Sequence, residues 1–297
     1  MRYRLLMTAL LAALAIAGVA PVEARMHAGP NMLSAGHRLR ATIAPPLDGI
    51  ATPAAAAYGF RRLRSAYTGP AVRLRRAADN LEADIGFTAA GDFNIAAAAA
   101  HCTSSCFVVT LYDQSGNTRN ITNAGAAGQP AYIADCGFAK PCARTSAAGI
   151  VLSSASVTWA SVTSSLSAVA RRVAGPTVTC YLIGKNTNYL YTQTLANTWV
   201  VTDFTSASFD LPATDTVWHA AVAVIIGGGT PAVGRVDTVE TVGPALTGTA
   251  AAGTVNFLQG AASVTCDVSE AMIWDGYALT LPERATLTAA QKAYWGF

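Results

Sequence analysis

The chain has 297 residues, with 20 Lys and Arg against 17 Asp and Glu and a formal net charge of +3. That balance is far too small for a protein that coats nucleic acid, so no nucleic-acid partner is expected. Residues of the AVILMFWYC group make up 52% and charged residues 12%, the reverse of the composition that keeps a chain disordered.

Met1-Arg2-Tyr3-Arg4 is a short basic start, residues 5–20 are apolar and uncharged, and Val22-Glu23-Ala24 offers the small-x-small pattern that signal peptidase reads. This layout predicts a secretory signal peptide over residues 1–24. The apolar run is shorter than the roughly 20 residues a membrane-spanning helix needs. The mature protein is therefore expected to be secreted or periplasmic, with no membrane partner after cleavage. Residues 25–57 hold Pro30, Pro45, Pro46 and Pro53 among Ala, Gly and Arg, without periodicity, and read as an extended tether. Residues 58–297, about 240 in all, are enough for one large all-β domain.

Within that domain, Phe60, Leu63 and Tyr67 at helical spacing predict a helix over residues 58–67, stopped by Gly69-Pro70. Asn94 predicts the cap of a second short helix through residues 96–100. Strand signals then dominate. They cover 107–112, 151–157, 178–183, 199–204, 217–226, 233–242, 255–258 and 264–274, with Gly, Asn, Pro and Thr in the gaps. Asp113 opens the turn that ends the first of these and is expected to bond its own turn backbone. Gly227-Gly228-Gly229 reads as a hairpin turn, since no P-loop Lys follows it. Thr280-Leu281-Pro282-Glu283 is a capping box that starts a C-terminal helix, with Leu281, Leu287 and Tyr294 on its apolar side. Many strands without alternating helices predict an all-β fold, a jelly-roll sandwich with short helices and a C-terminal helix.

Six cysteines in an exported chain favour disulfides. Fifteen pairings are possible. Cys102–Cys106 and Cys136–Cys142 are preferred because each closes a short loop, which leaves Cys180–Cys266 to join two distant strands. A zinc site would want C-x-x-C or His spacing, which does not occur, and no Asp-rich calcium loop is present. No metal or cofactor is expected. His27 and His37 fall in the tether, and neither His101 nor His219 has the spacing of a Ser-His-Asp site. The Arg cluster at positions 61, 62, 64, 73, 75 and 76 is followed by Asp79, Glu82 and Asp84, which are placed to pair with it. The cluster reads as a solvated face, with acidic polysaccharide as the alternative partner.

Three stretches carry a family resemblance: residues 65–80 (SAYTGPAVRLRRAADN), Asp84-Ile85-Gly86, and residues 102–117 (CTSSCFVVTLYDQSGN). In this order they resemble the catalytic domain of arabinofuranosidase B, a secreted retaining glycoside hydrolase with a concanavalin A-like sandwich. Residues 268–274, 278–284 and 294–296 are similar to the ending of laminin-G-like, concanavalin-type domains, many of which bind glycans without catalysis. Both resemblances imply a concanavalin A-like sandwich and a polysaccharide or glycan partner.

Retaining glycosidases need two carboxyl groups about 5–5.5 Å apart. The resemblance places the nucleophile in a Trp-x-x-x-Asp-x-Glu stretch. Its counterpart runs from Trp199 to Thr205, with Asp203 present and Thr205 in place of the Glu. The acid/base Asp is expected after a Gly-rich turn, where this chain has Leu258-Gln259-Gly260-Ala261-Ala262. The family's adjacent Cys-Cys pair is also missing. Two other carboxylates are therefore candidates. Strand alternation puts Val264, Cys266, Val268, Glu270, Met272 and Trp274 on one face. Burial there would raise the pKa of Glu270, as suits a general acid, unless an Arg or backbone N–H groups hold it. Asp203 is either a sugar-hydroxyl acceptor or an exposed strand-end Asp. Sugar contacts are expected from Tyr189 and Tyr191, two apart on one strand face beside Asn186 and Asn188, and from Trp199. Trp159 is a further stacking candidate, while Trp218 and Trp274 read as core. Two functions result. One is hydrolysis of terminal α-L-arabinofuranosyl groups. The other is a non-catalytic module that binds glycans or serves as a surface or appendage component.

Overall fold

The computed structural model describes residues 43–174, 179–185, 188–193, 198–203, 207–213, 216–247, 252–260 and 264–297. The expected signal peptide and the first part of the expected tether lie outside these residues. Residues 43–57 correct the tether reading. Pro46–Gly49 form one 3-10 turn, Leu47, Ile50, Ala54, Ala56 and Ala57 are buried, and Ala56–Gly59 is a strand paired with the segment from Glu270 to Ile273. The Ala-rich sequence lacks periodicity because its small side chains let this strand lie tight against a central one.

The long strand Thr265–Asp275 organises the first layer. One edge pairs with Ser164–Ala174. The other pairs with Ala56–Gly59 and Cys142–Thr145. From Ser164–Ala174 the layer continues through His219–Ile225 and Pro231–Val236 to Val239–Ala245. From Cys142–Thr145 it continues through Ala131–Ile133 to Cys106–Leu111, Val72–Arg76 and Glu82–Ile85. The second layer runs Leu152–Ser153, Val255–Gly260, Cys180–Lys185, Asn188–Gln193, Thr198–Thr202 and Ser208–Leu211. Ile121–Thr122 joins the two layers at one edge. The main core fills the space between them, with Leu166, Ala223 and Ile273 facing Ile183, Leu190, Trp199 and Phe257. The fold is the expected β-sandwich.

Three disulfides form: Cys102–Cys106, Cys136–Cys142 and Cys180–Cys266. The last ties Cys180–Lys185 of one layer to Thr265–Asp275 of the other. The C-terminal helix Leu281–Trp295 starts with the expected capping box between Thr280 and Glu283. It covers the outer face of the first layer, where Val222, Val224, Met272 and Trp274 meet Leu279 and Leu287. Leu281 is an exception to its predicted apolar side and is exposed. Asn94 caps Ile95–Cys102, its side chain accepting from the Ala97 N–H.

The helix expected over residues 58–67 does not form. The Phe60 N–H donates to the Ser269 carbonyl, Arg62 N–H to Gly91, and Leu63 N–H to the Gln114 side chain. Long-range partners thus take the backbone groups a helix would have used, and tertiary pairing overrides local spacing. The expected strand over 233–242 is instead a hairpin, turning at Asp237, whose φ of 53° lies in the left-handed region. The expected strand over 151–157 is reduced to Leu152–Ser153 and Val157–Thr158. Gly228 and Gly229, at φ 76° and 79°, make the predicted hairpin turn.

Candidate functional site

A register shift decides which way the carboxylates face. Val169 is opposite Glu270, but Ala170 is opposite Val268, so Ser269 is an extra residue in the Thr265–Asp275 strand. A bulge of this kind reverses the alternation beyond it. Val264, Cys266 and Val268 therefore face the main core with Ala271 and Ile273, whereas Met272 and Trp274 face the C-terminal helix. The single face predicted from alternation is split at this point.

Glu270 goes with the helix-covered side and is fully buried. Its Oε2 accepts from Arg61 Nε at 2.6 Å and Trp295 Nε1 at 3.0 Å. Its Oε1 accepts from Arg61 Nη2 at 3.2 Å and Gln291 Nε2 at 3.0 Å. Four hydrogen bonds from three side chains, two of them from the bidentate Arg61 guanidinium, close both oxygens. Neither oxygen is open to a sugar.

A second set of polar groups lies at one end of the sandwich. The inward-facing rows of the two layers all finish there on polar residues: Ile183 is followed two residues on by Lys185, Leu190 is preceded by Asn188, Val201 is followed by Asp203, Ile273 by Asp275, and Leu166 is preceded by Ser164. Strand alternation puts each on the inner side. Lys185, Asn188, Asp203 and Ser164 are buried. Lys185 Nζ donates to Asp275 Oδ1 at 2.5 Å and to the Ser161 carbonyl at 2.8 Å. Asn188 Nδ2 donates to Ser164 Oγ at 3.0 Å, while its Oδ1 is buried with no hydrogen-bond partner among the described residues. Asp203 Oδ1 accepts from the Ala207 N–H at 3.3 Å. Burial pushes the Lys185 ammonium below its ordinary pKa, and the Asp275 carboxylate offsets this only in part. Arg119 and Lys185 both stand over the Trp159 ring, at 5.1 and 5.2 Å from its centroid, within cation–π range. Such a cluster combines carboxylates with an amide and an ammonium, the donor and acceptor types that bind sugar hydroxyls.

The predicted residues are thus distributed over four places. Glu270 lies under the helix. Asp203 is at the polar end and is buried, not exposed. Trp199 is fully buried in the main core, with its ring 6.0 Å from that of His219 and its Nε1 without a partner among the described residues. Tyr189 faces the outer side of the second layer, because Leu190 beside it faces the core. There its hydroxyl accepts from Asn256 Nδ2 at 2.9 Å and its ring meets Tyr181 edge-on at 5.5 Å. Tyr191 follows two residues later on the same strand; its side chain, Asn186 and Thr205 lie outside the described residues. Gly260 is level with Cys180, Thr192 and Trp199 on the ladder, so Asp203 is displaced from it by about 13 Å along the strands.

Sequence reasoning missed Lys185 and Asp275, and named Asn188 only as a neighbour of Tyr189. Their signal is a shared one: each ends an apolar inward row at the same level, visible only once the strand registers are known. Asp113 behaves as expected, accepting from the Ser115 N–H and hydroxyl, and also from the Ala57 N–H across the fold. Cys136, Cys142 and Asp267 cluster as a metal site would, but the two sulfurs are joined and Asp267 is shared by Arg144 and Arg171. No helix among the described residues is long and apolar enough to cross a membrane.

Comparison with known proteins bears on this geometry. The family described as "Alpha-L-arabinofuranosidase B, catalytic" matches residues 48–214. An α-L-arabinofuranosidase of Hypocrea jecorina is 38% identical over 79 residues, 26% of this chain and 16% of that protein. A probable α-L-arabinofuranosidase B of Aspergillus fumigatus is 38% identical over 80 residues, with the same coverage. The match thus spans about a sixth of the length of these relatives. A solved α-L-arabinofuranosidase soaked with a cyclic sulfate inhibitor superposes with a TM-score of 0.64 at 16% identity, covering 84% of this chain and 65% of that one. An arabinofuranosidase complexed with arabinofuranosyl-α-1,2-xylobiose gives 0.63 at the same identity and coverage. These structures share the sandwich fold. With more than half of its length matched by the family, the chain belongs to the α-L-arabinofuranosidase B catalytic family.

Proposed function

We propose that this chain is an exported, arabinofuranosidase-like protein that recognises terminal α-L-arabinofuranosyl groups on a polysaccharide and cleaves them. The observation that carries this reading is the family match over residues 48–214. The signal-like sequence at residues 1–24 and three disulfides support export. Asp203 is the carboxylate proposed to act, and Tyr189 on the outer side of the second layer, with Tyr191 two residues on, is proposed to touch sugar separately from it.

A second reading, recognition without turnover, is favoured by one feature. Glu270 is closed by four hydrogen bonds, and no Glu stands at position 205. The test is hydrolysis of p-nitrophenyl α-L-arabinofuranoside by the purified mature protein, with Asp203→Asn and Glu270→Gln alongside. The hydrolase reading expects wild-type turnover, lost in Asp203→Asn and retained by folded Glu270→Gln. A folded wild type that binds arabinofuranosyl oligosaccharides without releasing arabinose establishes the second reading.

A further inference from the structure

A cavity of about 490 Å³ lies away from the polar end, beside the last turn of the C-terminal helix. That volume suits a small ligand. Its walls include the aromatic rings of Phe138, Trp218 and Phe297, and its charged groups are Arg171, Lys292 and the Asp237 carboxylate. We propose that this cavity is a second saccharide site, which takes a carboxylate-bearing sugar ring such as a uronate of an acidic polysaccharide.

Three observations carry the assignment. First, the Arg171 guanidinium lies over the Trp218 ring at 5.0 Å, and its Nε is held by Asp267 at 3.0 Å. Among the described residues its two terminal nitrogens have no hydrogen-bond partner. A guanidinium stacked on one side and anchored through Nε presents its remaining donors in a fixed fork, the geometry that matches a carboxylate. Asp267 also binds Arg144, so its single negative charge serves two cations. Second, Lys292 brings another ammonium to the cavity wall, its charge offset in part by Asp237. Asp237 positions it at 3.3 Å while also bonding His219 Nδ1 at 2.8 Å.

Third, Phe138 is 57% exposed, an unusual setting for so large an apolar ring. The loop closed by Cys136–Cys142 projects it. Gly137, Phe138 and Ala139 all have positive φ, at 113°, 60° and 53°. Two consecutive non-glycine residues in the left-handed region cost free energy, and such strain gathers at binding sites. The loop is fixed at its base by Trp218 Nε1, which donates to the Cys136 carbonyl at 3.0 Å. An exposed ring beside an anchored guanidinium suits a ligand with an apolar face and an anionic edge. A sugar ring with a C5 carboxylate has both.

The assignment is tested by calorimetric titration of the whole protein with tri-galacturonic acid, its methyl ester and neutral galactotriose. The acid is expected to bind, and the other two at least about tenfold more weakly, the scale of one lost charge-assisted contact. Arg171→Gln should weaken binding of the acid by a similar factor, with Arg144 left to neutralise Asp267. Phe138→Ala, on an exposed loop, should weaken it without loss of folding and serves if Arg171→Gln does not fold. Equal binding of acid and ester overturns the proposal, as does acid binding that neither variant changes. Absence of binding to the acid overturns it as well.

Discussion

Glu270 and Arg61 form a buried ion pair, with side-chain exposures of 0% and 2%. Glu270→Gln leaves a buried guanidinium without its counter-charge. Breaking one partner of a buried pair costs about 3–5 kcal/mol, so the variant is expected to lose about that much stability in urea unfolding. A loss below about 1 kcal/mol would mean that the network is not what holds the carboxylate. Tyr132 presents the opposite case. Its hydroxyl is buried with no partner among the described residues, and burial raises its pKa to about 12. Tyr132→Phe removes an unsatisfied polar atom and is expected to stabilise the fold by about 1 kcal/mol. Because the folded tyrosine keeps its proton to a higher pH than the unfolded one, stability present below pH 10 is lost as pH rises toward 12. The phenylalanine variant should show a shallower alkaline loss, read from melting temperatures across that range.

The C-terminal helix is the element most dependent on charge. Glu240 accepts from Arg284 at 2.7 and 3.0 Å, Asp237 holds Lys292, and Glu283 closes the capping box with Thr280. Burial works against ionisation of all three carboxyls, but it is outweighed by Arg284 and Arg235 at Glu240, by His219, the Ala220 N–H and Lys292 at Asp237, and by Thr280, Tyr277 and Arg284 at Glu283. All three sit below their ordinary values in the folded chain. Their contribution is therefore full above the ordinary carboxyl range and is lost as pH falls through it. Hydrogen exchange should show the helix amides losing protection below about pH 4 before those of the central strands. Simultaneous loss in both would contradict this. Thr280→Ala, which removes the cap hydroxyl, should cost about 1 kcal/mol by the same denaturant measurement.

At the scale of the whole molecule, Cys180–Cys266 spans 86 positions and links the two layers. Replacing both with Ala is expected to cost about 2–4 kcal/mol in guanidinium unfolding; an unchanged midpoint would show that the layers do not depend on it. The architecture was largely legible from residues alone, for physical reasons. The β-branched strands, the Gly turn at 227–229 and the Thr280–Glu283 box each carry their own local signal. What could not be read was set by distant partners. Residues 58–67 have helical spacing, yet their amides bond across the fold. The Ala-rich strand at residues 56–59 has no pattern because it needs only to be small. Glu270 was picked out correctly as buried, but the extra Ser269 turned it away from Val268 and under the helix. Asp275 and Lys185 meet only because their strands face each other across the two layers.

Recognition of arabinofuranosyl groups underlies both functional readings, with or without cleavage. It is tested most directly by calorimetric titration of the folded mature protein with arabinofuranosyl-α-1,2-xylobiose and with unsubstituted xylobiose. The account predicts saturable binding, or binding followed by release of arabinose, for the substituted compound alone. Equal binding of the two, or no binding of either, would contradict it.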